Sequence, residues 1–110
     1  MPGKPRDLHS QFERDETYGR SVQGAASVGV ASAVVLRANR ARKQAIFVND
    51  SDTVIYLAKG GTAIVNTGIR LNAQGGSWIE QADAEGYLWV GQFSAISTGA
   101  AKNLCITEDV

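Results

Sequence analysis

The sequence predicts an all-β protein, a jelly-roll-like antiparallel β-sandwich or barrel with an extended N-terminal arm. Three observations predict it. Apolar residues recur with a period of two in short runs, the pattern of a half-buried strand. Clusters of Gly, Asn, Asp and Ser separate these runs at intervals of roughly eight to twelve residues, giving about seven or eight strands. Twelve glycines and only two prolines among 110 residues suit many short strands joined by tight turns. The length makes one domain, and a hydrophobic fraction of 44% is that of a folded chain.

Residues 1–27 read as the arm and residues 28–110 as the sandwich. Pro2, Gly3 and Pro5 open the arm, and charged residues fill Lys4 to Arg20. Leu8 and Phe12 are four apart and share one face of a helical turn; Tyr18 is the next large apolar side chain. Gly19 and Gly24 interrupt any regular element there. Ser27 to Arg37 alternates, with Val28, Val30, Ser32, Val34 and Leu36 on one face, and reads as one strand or two short ones. Its valines and Gly29 count against a helix.

Arg40 to Gly61 is the strongest local signal. Ala45, Phe47 and Asn49 alternate with Ile46 and Val48; after Asn49-Asp50-Ser51-Asp52, Val54 and Tyr56 alternate with Ile55 and Leu57. The polar residues between favour a turn because their side chains bond nearby backbone, and the whole reads as a β-hairpin. Beyond it, Ile69 to Leu71, Ser77 to Glu80, Tyr87 to Phe93 with an extension through Ser97, and Asn103 to Thr107 read as further strands.

Charge is balanced overall, with 11 basic and 11 acidic residues, but unevenly placed. Residues 1–43 carry eight basic and four acidic side chains; residues 44–110 carry three basic and seven acidic. This pattern suits contact with copies of the same chain or with a mixed-charge protein surface. A nucleic-acid partner would call for a domain-wide basic excess. The cluster Arg37, Arg40, Arg42 and Lys43 is the predicted docking patch of the body, and Leu8, Phe12 and Tyr18 the predicted anchors of the arm.

Chemistry finds little footing. The single His9 lies in the arm, and the single Cys105 sits in a strand run, so neither builds a transition-metal site or a catalytic pair. Asp50 and Asp52 lack the spacing of a calcium loop, and Lys59-Gly60-Gly61-Thr62 lacks that of a phosphate loop. The expectation is a protein that is not an enzyme and takes no cofactor. Trp78, Trp89, Tyr56 and Tyr87 are either packing residues or an aromatic platform for sugars. The N-terminus has no apolar core of a signal peptide, and no run is long enough to span a bilayer. A cytoplasmic site of synthesis and no membrane partner are therefore expected.

The pattern Asn39-Arg40-x-Arg42-Lys43-x-Ala45-Ile46-Phe47-Val48-Asn49-Asp50-Ser51-Asp52-Thr53-x-Ile55-Tyr56-Leu57, followed by Gly60-Gly61, resembles small β-sandwich proteins of bacteriophage virions. Leu88-Trp89-Val90-Gly91, Phe93 to Ile96 and Asn103 to Glu108 fit the same resemblance, which covers residues 38–108. It implies a capsid decoration (cement or staple) protein on the virion surface, whose partners are the major capsid protein and further copies of itself in a dimer or trimer. Head–tail joining or fibre attachment, and a carbohydrate-binding module, are the alternative functions.

Overall fold

The computed structural model describes residues 19–110. Within them the chain forms eight strands: β1 (Ser21–Val28), β2 (Ala33–Leu36), β3 (Gln44–Asn49), β4 (Ile55–Lys59), β5 (Ile69–Leu71), β6 (Ser77–Gln81), β7 (Phe93–Ser97) and β8 (Lys102–Asp109). They build two four-stranded antiparallel sheets, one in the order β1-β8-β3-β6 and the other β2-β7-β4-β5. The fold is a β-sandwich, as the period-two patterning predicts.

Alternation sets the core. On β3, Ala45, Phe47 and Asn49 turn inward while Ile46 and Val48 lie on the outer face. Leu104 and Ile106 of β8 continue this inner layer, and Ile55, Leu57, Leu71, Phe93 and Ala95 supply the facing one. Phe47 and Phe93 meet at its centre, with ring centroids 4.6 Å apart and planes tilted by 53°. That tilted geometry adds to the stabilisation from area burial alone. Cys105 lies on the outer face of the interior strand β8, partly buried.

Three sequence expectations are corrected. The hairpin from residue 44 to 59 is not one. Both strands are present, but β3 pairs with β8 and β6, whereas β4 pairs with β5 and β7 in the opposite sheet. The connection is an arch between layers. Asn49 makes it so: its buried side-chain amide donates to the carbonyls of Thr53 (2.8 Å) and Leu71 (3.0 Å), and its side-chain oxygen accepts from Ser51 Oγ (2.7 Å). The polar turn residues thus serve an arch instead of a two-stranded ladder.

The second correction concerns Tyr87 to Gln92, which forms no strand; β7 starts at Phe93. Side chains have captured its backbone. Asp83 Oδ1 accepts from Tyr87 N–H (2.9 Å) and Glu80 Oε2 from Trp89 N–H (3.2 Å), while Arg42 donates to the carbonyls of Trp89 and Gly91. Thirdly, residues 21–27 belong to a strand of the sandwich, not to an arm. Gly24 sits inside β1, and β1 pairs with β8 along its whole length, from Ser21–Asp109 to Val28–Lys102. Leu8, His9, Phe12 and Tyr18 lie outside the described residues.

Candidate functional site

Two knots of buried charge lie among the loops that bridge the sheets. Arg42 ends the basic turn that carries the chain from β2 to β3. Its side chain is fully buried. Nε donates to Glu108 Oε2 at 2.8 Å, Nη1 to the carbonyls of Gly91 (2.9 Å) and Trp89 (3.2 Å), and Nη2 to that of Arg37 (2.7 Å). The guanidinium also stands over the Phe93 ring, 5.7 Å from its centroid. Only a planar fork of donors satisfies so many acceptors in one place.

Arg42 is therefore not available to a partner, unlike the other three residues of the predicted docking patch. Arg37, Arg40 and Lys43 are exposed. The turn that bears them is rigid. Asn39 caps it by accepting from Ala41 N–H at its side chain (3.0 Å), its carbonyl accepts from Arg42 N–H (3.0 Å), and Lys43 N–H donates to the Asp109 carbonyl (2.7 Å).

The second knot centres on Glu80 of β6. Alternation along β6 turns Trp78 and Glu80 to the inner face, where Phe47 and Ala45 of β3 are their cross-strand neighbours. At this sheet edge the inner face is only half covered. Glu80 is 6% exposed, yet Trp78 beside it is 36% exposed. Lys59, at the end of β4, reaches across from the other sheet to Glu80 Oε1 at 3.0 Å. The same oxygen accepts from Trp78 Nε1 at 3.1 Å, and Lys59 Nζ lies 5.8 Å from the centroid of the Trp78 ring. Burial pushes the Glu80 carboxyl up. The hydrogen bonds from Lys59, Trp78 and the Trp89 backbone outweigh it, so the group titrates below its ordinary 4.5 and carries a charge at neutral pH.

The loop after β6 completes the site. Asp83 closes it on itself, its Oδ1 accepting from the N–H groups of Glu85 and Tyr87 at 2.9 Å each. This holds Tyr87 out in solvent, 74% exposed. Trp89 lies flat against the backbone of Gly91 and beside Gly60, with its Nε1 donating to the Gln92 carbonyl at 3.0 Å and 37% of the residue exposed. Any side chain at position 91 would run into the indole ring. Lys59, Glu80, Asp83, Tyr87, Leu88 and Trp89 enclose an open hollow of about 280 Å³. Its chemistry is an aromatic surface beside an acidic and a basic group, which suits stacking together with hydrogen bonding to a polar ligand.

No family model, no curated protein and no solved structure matches the chain.

Of the four aromatic residues that the sequence offers as a platform, Trp78, Trp89 and Tyr87 come together at one edge. It sets Tyr56 apart, buried in β4 with its hydroxyl donating to Asn66 Oδ1 at 2.9 Å. Glu80 and Lys59 were missed as site residues. Glu80 had a signal: a lone charge on the same alternation parity as Trp78 within a strand. Lys59 had none, because only the arch sends β4 to the opposite sheet.

Proposed function

We propose that the protein is a structural virion component that binds the outside of a phage capsid and stabilises contacts between major capsid subunits. The observation that carries this reading is the winding of the strands. One sheet runs β1-β8-β3-β6 and the other β2-β7-β4-β5. We read this eight-stranded order as a jelly roll, an architecture used by viral capsid and lectin domains. That is an argument from fold, and fold hosts many functions. The resemblance of residues 38–108 to virion proteins adds to it, as does the rigid basic turn presenting Arg37, Arg40 and Lys43 to an acidic surface. A protein that binds the assembled shell and not its separated subunits stabilises the shell by mass action. The reading assigns Leu8, Phe12 and Tyr18 to the same docking.

The test is the copy number of this chain in purified particles, measured by quantitative mass spectrometry against the major capsid protein. A simple ratio to the capsid subunit is expected. A number matching a portal or tail ring would move the protein to head–tail joining or fibre attachment, and complete absence would end the virion reading.

A second reading, carbohydrate binding, is favoured by the hollow beside Trp89. Titration with a panel of oligosaccharides should then shift tryptophan fluorescence, and Trp89→Ala should remove the response. Wild-type fluorescence that no glycan moves would sink this reading.

A further inference from the structure

The four sheet edges are not alike. An exposed edge presents unpaired N–H and C=O groups that invite another strand, and proteins blunt it with shortness, bulges or charge. β5 is three residues long with Arg70 at its centre. β2 has four residues and an irregular register between Val34 and Leu36. β6 turns the charge of Glu80 inward. β1 has none of these devices. It runs eight residues, SVQGAASV, with no charge, no proline and no shift of register. Among the described residues nothing pairs with its outer edge.

We propose that this edge pairs with the β1 edge of a second copy of the chain, antiparallel, joining two four-stranded sheets into one of eight strands. This goes beyond the capsid reading and stands without it. The direction of the backbone groups fixes the geometry. Arg20 and Val110 exchange both of their hydrogen bonds, at 3.1 and 2.8 Å. Hydrogen-bonded pairs alternate along an antiparallel ladder, so Val22, Gly24, Ala26 and Val28 point their backbone groups at β8. Ser21, Gln23, Ala25 and Ser27 therefore point theirs outward. Lys43 N–H, which donates to Asp109 O at 2.7 Å, agrees: odd-numbered residues of β8 face β3, leaving the even ones for β1.

A two-fold axis through Ala25 satisfies this edge. Ala25 then faces Ala25 of the second copy, and Gln23 faces Ser27, all with outward backbone groups. The intervening pairs are Gly24 with Ala26 and Val22 with Val28. Opposed residues lie on the same face of the sheet, so apolar meets apolar on the inner face and polar meets polar at Gln23–Ser27. The register also covers what a lone copy leaves open. Val22 is 47% exposed, and a hollow of about 160 Å³ is lined by Val22, Gly24, Ala25, Val35, Leu36 and Ile106, with Glu108 at its polar side. A β-carbon placed on Gly24 would meet nothing within 4 Å, so the inner face has space there for the neighbouring strand's side chains. A second copy is favoured over a foreign strand because the one sequence supplies both complementary halves, as a two-fold interface requires.

The test uses the full chain in sedimentation equilibrium over a concentration series. The wild type should approach twice the chain mass. Ala25→Pro removes only an outward N–H, a substitution an edge strand tolerates, and should reduce the mass to that of one chain with an unchanged circular dichroism spectrum. Ala25→Lys, which sets two like charges opposite each other on the axis, should do the same should the proline disturb the strand. Hydrogen exchange at the Ala25 amide should slow as concentration rises. A wild type that stays monomeric throughout overturns the proposal. So does a dimer indifferent to both substitutions, and so does an Ala25 amide that is equally protected in the monomer and in the dimer.

Discussion

Arg42 and Glu80 are both buried charges, and they have opposite surroundings. Arg42 spends its donors on Glu108 and on carbonyls of its own chain, sealed from solvent. Glu80 is held by Lys59, whose side chain is 38% exposed, and by the edge of Trp78, at the lip of a hollow. A buried charge whose partners are themselves buried ties loops together. A buried charge whose partners are half in water shapes a surface. The sequence counts Arg42 among four docking candidates and leaves Glu80 in an ordinary strand; the structure buries Arg42 and sets Glu80 at the lip of the hollow.

The sharpest way to break this contrast is Arg42→Met. It leaves Glu108 and three carbonyls without their donor, and losing one partner of a buried pair costs about 3–5 kcal/mol. Chemical denaturation should show a loss of that size. Arg42→Lys should recover little of it, because an ammonium cannot reproduce the fork.

Glu80→Gln should cost less, about 1–3 kcal/mol, since Lys59 can turn to solvent. The pH dependence sharpens the point. The folded-state carboxyl titrates below 4.5, so its stabilisation is complete above that value and is lost as pH falls through the folded-state value. The gap in stability between wild type and E80Q should therefore close as pH is lowered below 4.5. A constant gap would show that shape, not charge, sets the contribution of Glu80.

Gly91→Ala forces the Trp89 indole off its backbone seat, at a cost of about 1–3 kcal/mol. Its distinguishing readout is a red-shifted tryptophan emission as the ring loses its packing. The smallest effect belongs to the exposed turn. Replacing Arg37, Arg40 and Lys43 together by glutamate should alter stability by no more than about 0.5 kcal/mol per site. Thermal unfolding that drops as far as in Arg42→Met would erase the distinction between sealed and exposed basic residues.

The sandwich was legible because alternation is local. Ala45, Phe47, Asn49, Leu104 and Ile106 announce their faces from spacing alone. Pairing was not legible. Whether Asn49 to Thr53 makes a hairpin or an arch depends on Leu71, whose carbonyl takes an Asn49 amide hydrogen from 22 positions away. The lost strand at Tyr87 to Gln92 has the same cause: its alternation is real, but Asp83, Glu80 and Arg42 outbid a neighbouring strand for its backbone. Half of the candidate site followed suit. Trp78, Trp89 and Tyr87 are visible as aromatic residues, while their convergence on Glu80 and Lys59 is a product of the arch.

The place of β8 has a consequence for how the protein is made. β8 lies between β1 and β3, so the sheet that begins with Ser21 has no continuous form until Lys102 to Asp109 is present. A ribosome releases β1 and β3 well before the neighbour they share, and every pairing β8 makes spans a long stretch of chain. Such contacts form slowly because the loop must close before they reward it. During synthesis the nascent chain therefore displays the unpaired flanks of β1 and β3 together, an aggregation hazard that ends when β8 slides in. Translation arrested before residue 102 yields a polypeptide with one sheet cut in two, and its fate is decided by chaperones and proteases.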